Sequence, residues 1–320
     1  MDRSQQPPRR TRVESSRAAV PARGLPDSDP HRQVGGAPSL EERLDLAFDR
    51  ATAPRAGEAV EEGSESDYGL DLGFRSVTRP FFRFLYEQYW RVDVTGVEHV
   101  PSDGPVILAG NHSGGIPFDA TMLAYALTFE QGGPKRVIRP LYDRFVENLP
   151  PVRNAYRKLG GAPASYAVAD DLLSRGEAVA IFPEGFDGIA KLYEERYRLG
   201  GFSSSAARLS YRHRAPIVPF AVVGAEEIYP MIGRSEVLGQ AIGAPYLPIT
   251  PFFPLLGVAG AIPLPSKWAI IFGPRIYLHR ERRFRGAGCM DFDTMSERVR
   301  RTVQILLQGG VDRRSSIFLG

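Results

Sequence analysis

A histidine and an aspartate stand seven positions apart, at His112 and Asp119, in a glycine-containing segment of this 320-residue chain. The apolar run at residues 106–109 predicts a buried strand just before this segment. A histidine at a strand end suits general-base chemistry, because imidazole titrates near neutral pH. A carboxylate a few residues later can accept the other ring N–H and stabilise the imidazolium, as in the His–Asp half of a triad. A purely structural role for such a pair stays open at this point.

Three further blocks follow this pair along the chain. Residues 159–163 read Leu-Gly-Gly-Ala-Pro, residues 181–185 read Ile-Phe-Pro-Glu-Gly, and residues 215–219 read Ala-Pro-Ile-Val-Pro. Together with the His–Asp pair, they resemble, in the same order, the motifs of the glycerolipid acyltransferases, the lysophosphatidic acid acyltransferase superfamily. The common spacing in that family places four residues between histidine and aspartate, whereas six intervene here, as in a longer-spaced branch. The resemblance covers about residues 92–223.

The resemblance implies an O-acyltransferase that moves a fatty acyl group from an acyl thioester to a hydroxyl of a glycerolipid acceptor such as a lysophospholipid. The donor would be acyl-CoA or acyl carrier protein, which is a co-substrate, and no cofactor or metal ion is expected. His112 would take the proton of the acceptor hydroxyl, and Asp119 would orient His112. The residues expected around the substrates are Asn111, Ser113, Gly114, Gly115, Pro183, Glu184, Gly185 and Pro219.

Individual roles within this set follow from residue type. The backbone N–H groups of residues 113–115 are expected to stabilise the oxyanion, because glycine lets the backbone approach closely. Glu184 is expected to accept hydrogen bonds from the acceptor, and Gly185 to leave room for it. A helix N-terminal charge after a proline is the structural alternative for Glu184. Pro219 is expected to shape an apolar wall.

Cations are needed for the phosphate groups of CoA or of a lipid. Basic residues cluster between the first two blocks and again after the Phe-Pro-Glu-Gly block. From these clusters we select Arg144 and Lys191 as the expected phosphate contacts.

Two other functions are compatible with parts of the sequence. Ser113, two residues before Gly115, resembles the nucleophile of a serine hydrolase, although Asn111 replaces the first glycine of that motif. A hydrolase would also need a histidine downstream of its serine, and only His213 and His279 are available. The other possibility is a non-catalytic lipid-binding protein that retains the His–Asp pair as a structural element.

Strand-like and helix-like segments alternate from about residue 92 onward. This pattern predicts an α/β fold with a mostly parallel sheet flanked by helices and with its chemistry at the strand ends. The resemblance further implies a glycerol-3-phosphate acyltransferase-like fold. The predicted strands are 106–109, 177–182, 217–223 and 268–272, and the predicted helices are 119–129, 167–175 and 204–212.

The first 68 residues differ in composition from the rest of the chain. Prolines and arginines are frequent there, and large apolar residues are few. Such a segment cannot bury enough apolar surface to offset its ordering entropy, which predicts a disordered arm. A short helix is predicted within it at residues 39–50, where Ser39 and Glu42 have capping-box spacing.

The acyltransferase domain is expected over residues 69–310. It is predicted to begin with an amphipathic helix at 76–91, with Pro80 in the first helical turn. A catalytic core at 92–235 follows. Residues 237–266 contain no charged side chain but several prolines, which predicts an apolar loop rather than a membrane-spanning helix.

Membrane contact is expected from two segments. The aromatic stretch at 81–90 has arginines among and beside its aromatics, which is typical of an interfacial helix, although packing on its own domain is equally compatible. The apolar loop can cover a substrate cleft or enter the membrane surface. We therefore predict a peripheral protein on the cytoplasmic face of a membrane.

Composition excludes several classes of protein. A formal net charge of +3, from 40 basic and 37 acidic side chains, is too small to indicate a nucleic-acid partner. The single cysteine, Cys289, excludes an internal disulfide framework and a multi-cysteine zinc site. The first residues lack the apolar core of a signal peptide.

Overall fold

The structure is a computed structural model, and it describes residues 68–113, 118–130, 132–241, 244–281 and 291–319. The predicted arm, except for Tyr68, and the predicted helix at 39–50 lie outside the described residues. Gly114 and Gly115 also lie outside them, so the predicted oxyanion site is described only as far as Ser113.

A seven-stranded sheet occupies the centre of the described chain. The described residues form nine strands, seven of which belong to this sheet. They are β1 (Asp93–Thr95), β2 (Val106–Gly110), β3 (Ile138–Tyr142), β4 (Ala162–Pro163), β5 (Ala178–Ile181), β6 (Ile217–Val223), β7 (Gly233–Ser235), β8 (Leu247–Ile249) and β9 (Ala269–Phe272). The order in the sheet is β1-β9-β6-β2-β5-β3-β4, and β7 and β8 form a separate antiparallel pair. Only β6 and β9 pair antiparallel within the large sheet. The predicted α/β class with a mostly parallel sheet is confirmed.

Helices cover both faces of this sheet. They are α1 (Leu72–Phe84), α2 (Phe118–Phe129), α3 (Pro150–Leu159), α4 (Tyr166–Ser174), α5 (Phe186–Ile189), α6 (Ser205–His213), α7 (Glu236–Ala241) and α8 (Phe292–Arg313). Side-chain caps fix several of their first turns. The Asp71 carboxylate accepts a hydrogen bond from Phe74 N at 2.9 Å, and the Ser165 hydroxyl accepts one from Val168 N at 3.1 Å.

The core lies on both faces of β2, whose five residues are all buried. Val106 and Leu108 face one cluster, to which α2 contributes apolar side chains. Ile107 and Ala109 face the other, which is filled from α4, α6 and α8. A strand buried on both faces reads as an uninterrupted apolar run, and this explains why the strand segments were predictable.

The first helix differs from its prediction over 76–91. It begins at Leu72, because Asp71 provides the N-cap, and Pro80 lies inside the helix rather than in its first turn. A π-helical segment, Leu85–Tyr89, continues it. The aromatic side chains of this segment lie in two environments. Phe81 and Phe84 are exposed, whereas Trp90 is fully buried and stacks on Trp268 with ring centroids 4.6 Å apart.

The segment 237–266 is not a loop throughout. It contains most of α7, strand β8 paired with β7, and a 3₁₀ turn at Gly257–Ala261. The domain also continues past residue 310, because α8 extends to Arg313 and Arg314 forms an ion pair with the buried Glu227. Among the described helices, none is both long and apolar enough to cross a bilayer.

Candidate active site

Three neighbouring strands, β6, β2 and β5, carry chemistry-bearing side chains just after their carboxyl ends. His112 follows β2 by two residues, Glu184 follows β5 by three, and Glu226 follows β6 by three. The three strands are parallel neighbours, so their carboxyl ends meet at one edge of the sheet. The sheet order therefore gathers these three side chains from distant parts of the chain.

The predicted His–Asp pair is formed. His112 Nδ1 lies 2.7 Å from Asp119 Oδ2, and Asp119 is buried in the first turn of α2. The carboxylate also accepts hydrogen bonds from Ser113 N at 2.9 Å and Ala120 N at 2.7 Å. A carboxylate only accepts, so the proton belongs on Nδ1, and Nε2 is left as the basic nitrogen.

Packing also orients the His112 ring. It stacks on Phe182, the residue that follows β5, with ring centroids 4.2 Å apart and planes inclined by 23°. The side chain is 14% exposed, and it lines a small pocket at the sheet edge. The Asp119 contact and the Phe182 contact together restrict the imidazole to one orientation.

The geometry disfavours a nucleophilic serine. Ser113 is 3% exposed, and its hydroxyl donates to Asp119 Oδ2 at 3.1 Å rather than to a histidine. His213, a possible partner for a hydrolase, is engaged elsewhere, because its Nε2 lies 2.8 Å from Asp170 Oδ1. Within the described residues, Ser113 therefore supports the aspartate.

Glu184 and Lys191, for which the sequence predicts separate roles, are brought together in the structure. Lys191 Nζ lies 2.7 Å from Glu184 Oε1, which also accepts a hydrogen bond from Gly200 N at 2.8 Å. Glu184 is 7% exposed, yet its Oε2 atom has no hydrogen-bond partner among the described residues. The carboxylate binds Gly200 and Lys191 rather than the first N–H groups of a helix, so the helix N-terminal alternative does not describe it.

The two glycines after Glu184 differ in their surroundings. Gly185 has φ +59° and ψ −141°, a backbone conformation that residues with a side chain rarely adopt, and a Cβ there would meet nothing within 4 Å. The space beside Gly185 is therefore open, and its predicted role beside the acceptor stays a prediction. At Gly188, protein atoms occupy the space, because a Cβ there would lie 3.0 Å from Glu184 Cβ and 3.1 Å from His112 Cβ. Gly188 therefore sets how closely His112 and Glu184 approach.

The Asn111 side chain is occupied by protein contacts. It donates to Val222 O at 3.0 Å and accepts from Val222 N at 2.8 Å. These bonds tie the start of the His112 segment to β6, so Asn111 positions the site rather than presenting its amide to a substrate.

Three other predicted contacts lie away from the cavities. Pro183 is buried, and its carbonyl accepts a hydrogen bond from Ser203 N. Pro219 lies within β6 as part of the core and lines none of the cavities described below. Arg144 is exposed and also lines none of them, whereas Lys191 lines a cavity whose wall also contains Phe145.

Glu226 was missed from the sequence. Its Oε2 accepts a hydrogen bond from Tyr197 N at 2.9 Å, and its Oε1 lies 3.5 Å from Asn111 Nδ2. Burial raises the pKa of Glu226 to about 7, and the positive charge of Lys191 opposes that rise. The available signal was positional, because Glu226 follows its strand by the same three residues as Glu184 follows β5.

Two larger cavities adjoin the His112 pocket. The loop-side cavity, of about 250 Å³, includes Phe145 and Ile189, which also line the His112 pocket. The helix-side cavity, of about 300 Å³, lies between α1, α2 and α3 and shares Ala120, Pro140 and Tyr156 with that pocket. Apolar side chains dominate both walls, so the His112 pocket adjoins two spaces suited to hydrocarbon. No group of His, Cys, Asp and Glu within the described residues is arranged to hold a metal ion.

Comparisons with known proteins agree with these motifs. The sequence profile of the family described as Acyltransferase matches residues 91–223. An uncharacterized protein of Mycobacterium tuberculosis is 39% identical over 305 residues, covering 91% of this chain and 83% of that protein. A probable 1-acyl-sn-glycerol-3-phosphate acyltransferase of Mycoplasma pneumoniae is 25% identical over 170 residues, covering 51% and 60% of the two chains. The crystal structure of the LPA acyltransferase PlsC from Thermotoga maritima gives a TM-score of 0.46 at 16% identity, covering 76% and 79%. Residues 91–223 therefore belong to the Acyltransferase family, and the motifs within them resemble those of the glycerolipid acyltransferases.

Proposed function

We propose that the protein transfers a fatty acyl group from an acyl thioester, acyl-CoA or acyl carrier protein, to a hydroxyl of a glycerolipid. The observation that carries this proposal is the His112–Asp119 pair, whose basic nitrogen has no hydroxyl of the described residues as its hydrogen-bond partner. A base of this kind needs a nucleophile from the substrate. A lipid hydroxyl supplies one.

The proposed reaction conserves the proton. His112 Nε2 takes it from the acceptor hydroxyl as the oxygen attacks the thioester carbonyl. The tetrahedral intermediate collapses, the C–S bond breaks, and the imidazolium returns the proton to the departing thiolate. Asp119 stabilises the imidazolium during this sequence. An ester and a free thiol are the products.

The two cavities support a reaction between two lipids. Each adjoins the His112 pocket through shared wall residues, Phe145 and Ile189 on one side and Pro140 and Tyr156 on the other. The acyl chain of the donor and the chains of the acceptor can then occupy separate apolar spaces whose reactive ends meet at the base. A lipid carrier would also use such cavities, so turnover has to decide between the two functions.

Mass spectrometry of the lipids formed by the purified protein tests the proposal. The protein is given acyl-CoA with lysophospholipids, monoacylglycerols and diacylglycerols in turn, and the whole series is repeated with acyl carrier protein as donor. We expect at least one acceptor to gain the acyl mass, with release of an equal amount of thiol. Lipid binding without turnover across the panel would favour the carrier. Release of free fatty acid that Ser113→Ala abolishes would favour the hydrolase.

We also propose that the protein is peripheral on the cytoplasmic face of a membrane, where lipid substrates can enter. Support comes from exposed apolar side chains on α1 and in the segment 237–266. The residues just after α1 contact the end of that segment, because the Trp90 indole N–H donates to Leu264 O. The exposed side chains are Leu72, Val77, Phe81 and Phe84 on α1, and Leu255, Leu256, Val258 and Ile262 in the segment 237–266. Exposed apolar patches of this kind are typical of interaction surfaces.

The arginines near α1 contribute less to this surface than the sequence suggested. The Arg79 guanidinium lies over the Phe129 ring, Arg83 pairs with Glu87, and Arg91 donates to backbone carbonyls. Binding should therefore depend more on apolar burial than on attraction to anionic lipid.

Removing the exposed apolar groups of α1 is expected to weaken vesicle binding. We expect Val77→Ser/Phe81→Ser to lose at least about half of the protein that floats with anionic vesicles, because each side chain forfeits apolar burial in the interface. Ile305→Ser is the matched control, since Ile305 is 71% exposed but lies on α8, against the opposite face of the sheet. Equal flotation of all three proteins would remove α1 from the contact. Absence of wild-type flotation at any salt concentration would contradict the peripheral location.

A further inference from the structure

The loop-side cavity has a polar end formed by three charged side chains. Lys191 and Glu226 line the cavity, and Glu184 lies directly behind Gly188, a residue of the cavity wall. We refer to Glu184, Lys191 and Glu226 as the polar cluster. The rest of the wall is mainly apolar, with Arg196 and a few Tyr and Thr side chains, so the cluster is the principal place for a polar group of a ligand.

The polar cluster retains hydrogen-bonding capacity that the described residues do not use. Glu184 Oε2 is buried without a partner and lies 3.4 Å from the point where a Cβ on Gly188 would be. Lys191 Nζ forms the ion pair with Glu184 but has no well-oriented hydrogen-bond partner. Buried polar atoms of this kind are normally satisfied. One atom can accept a hydrogen bond and the other can donate one, and a hydroxyl group does both.

The charge of the cluster opposes an anionic ligand. Two carboxyl groups face one ammonium, so the net charge is negative when both are ionised and zero when one is protonated. Neither state of the cluster itself leaves a net positive charge for phosphate. Arg196, the other cation of this cavity wall, donates to Tyr193 O, lies over the Tyr193 ring and is 4.0 Å from Glu227.

We propose that Glu226 is a specificity-determining residue, which makes the polar cluster a site for a neutral, hydroxyl-bearing headgroup and disfavours a phosphomonoester. This inference rests on the proposed acyl transfer to a lipid hydroxyl and names the class of acceptor. Glu184 Oε2 accepts from one hydroxyl of the headgroup, and Lys191 donates to a hydroxyl oxygen. The carboxylate of Glu226 cancels the remaining attraction of Lys191 for an anion.

A matched pair of ligands and the Glu226→Gln variant test the inference. The ligands are a 1-acylglycerol and the 1-acylglycerol 3-phosphate with the same chain, each presented in neutral detergent micelles. Binding is measured without donor, and transfer is measured with acyl-CoA. Glu194→Gln removes the same charge from an exposed side chain near the cavity and serves as the control.

Folding of the Glu226→Gln variant is checked by thermal unfolding at pH 8. Burial raises the pKa of Glu226 to about 7, so the folded state holds this proton more tightly than the unfolded state does. Wild-type stability therefore falls as the pH rises from the ordinary glutamate range through 7. Glutamine does not ionise, so the variant does not lose this stability at pH 8. It is therefore expected to unfold at or above the wild-type unfolding temperature.

We expect the wild type to prefer the neutral ligand about tenfold or more, in binding and in transfer, because close like charges are strongly unfavourable. Glu226→Gln should narrow this preference by about tenfold, mainly through tighter binding of the phosphate ligand, and Glu194→Gln should leave it unchanged. A wild-type preference for the phosphate, an unchanged ratio in Glu226→Gln, or binding of neither ligand would overturn the inference. Transfer to neither acceptor despite the expected binding would instead contradict the proposed function.

Discussion

Replacing His112 by alanine is expected to lower acyl transfer about 100- to 10,000-fold, while the protein remains folded. The imidazole is the proposed general base, and a positioned general base contributes typically 10²–10⁴-fold. Asp119→Asn should cost a similar factor, because an amide cannot favour the tautomer with its proton on Nδ1. Both are measured as kcat/KM for transfer, with circular dichroism and thermal unfolding to verify the fold.

The chain offers a closely matched control for this experiment. His213 also pairs with an aspartate, Asp170, and its side chain is 14% exposed, as is that of His112. It lies at the end of α6, and we expect His213→Ala to retain nearly full activity. Wild-type turnover by His112→Ala would end the proposed mechanism. Equal losses in both histidine variants would indicate a general effect on folding.

Substituting alanine at Gly188 is expected to lower kcat/KM by up to about 100-fold with little change in the unfolding temperature. The new methyl group would meet Glu184 Cβ at 3.0 Å and His112 Cβ at 3.1 Å, so His112 and Glu184 must shift by a few tenths of an ångström. A displacement of about 1 Å in a reacting geometry can cost about 100-fold in rate, which sets the upper end of the expected loss. Steady-state kinetics with acyl-CoA and the best acceptor from the lipid panel measure the effect.

Gly309→Ala is the control for the added methyl group. A Cβ at Gly309 meets nothing within 4 Å, and alanine should stabilise α8 by up to about 1 kcal/mol. We therefore expect full activity and an equal or higher unfolding temperature for this variant. If Gly188→Ala were as active as Gly309→Ala, the spacing between His112 and Glu184 would not depend on Gly188.

The sequence predicts the His–Asp pair correctly because both partners lie in one short segment. The histidine follows a strand and the aspartate begins the next helix, so local chain geometry brings them together. The buried strands are predictable for a similar reason. A strand covered on both faces must be apolar throughout, and β2, β5 and β6 are apolar at every position except where Gly110 ends β2.

The role of Gly188 and the environments of the aromatic side chains could not be predicted from local pattern. A Cβ on Gly188 would meet Glu184 and His112, and the contact with His112 arises only because β2 and β5 are neighbours in the sheet. Aromatics spaced along a helix read equally as core or as membrane surface. Which of these aromatic side chains are buried depends on what packs against each helical turn, as Trp268 packs against Trp90.

By itself, the sequence determined the pairing of His112 with Asp119, the α/β class and the acyltransferase resemblance, since these depend on residue type, short spacing and apolar runs. Tertiary structure alone decided that Glu226 joins Glu184 and Lys191, that Gly188 separates His112 from Glu184, and that Arg144 stays outside the cavities. The reason is that the order β6-β2-β5 places side by side three strand ends that are distant along the chain. Contacts made by such long-range pairing depend on the whole packed sheet, and no local segment encodes them.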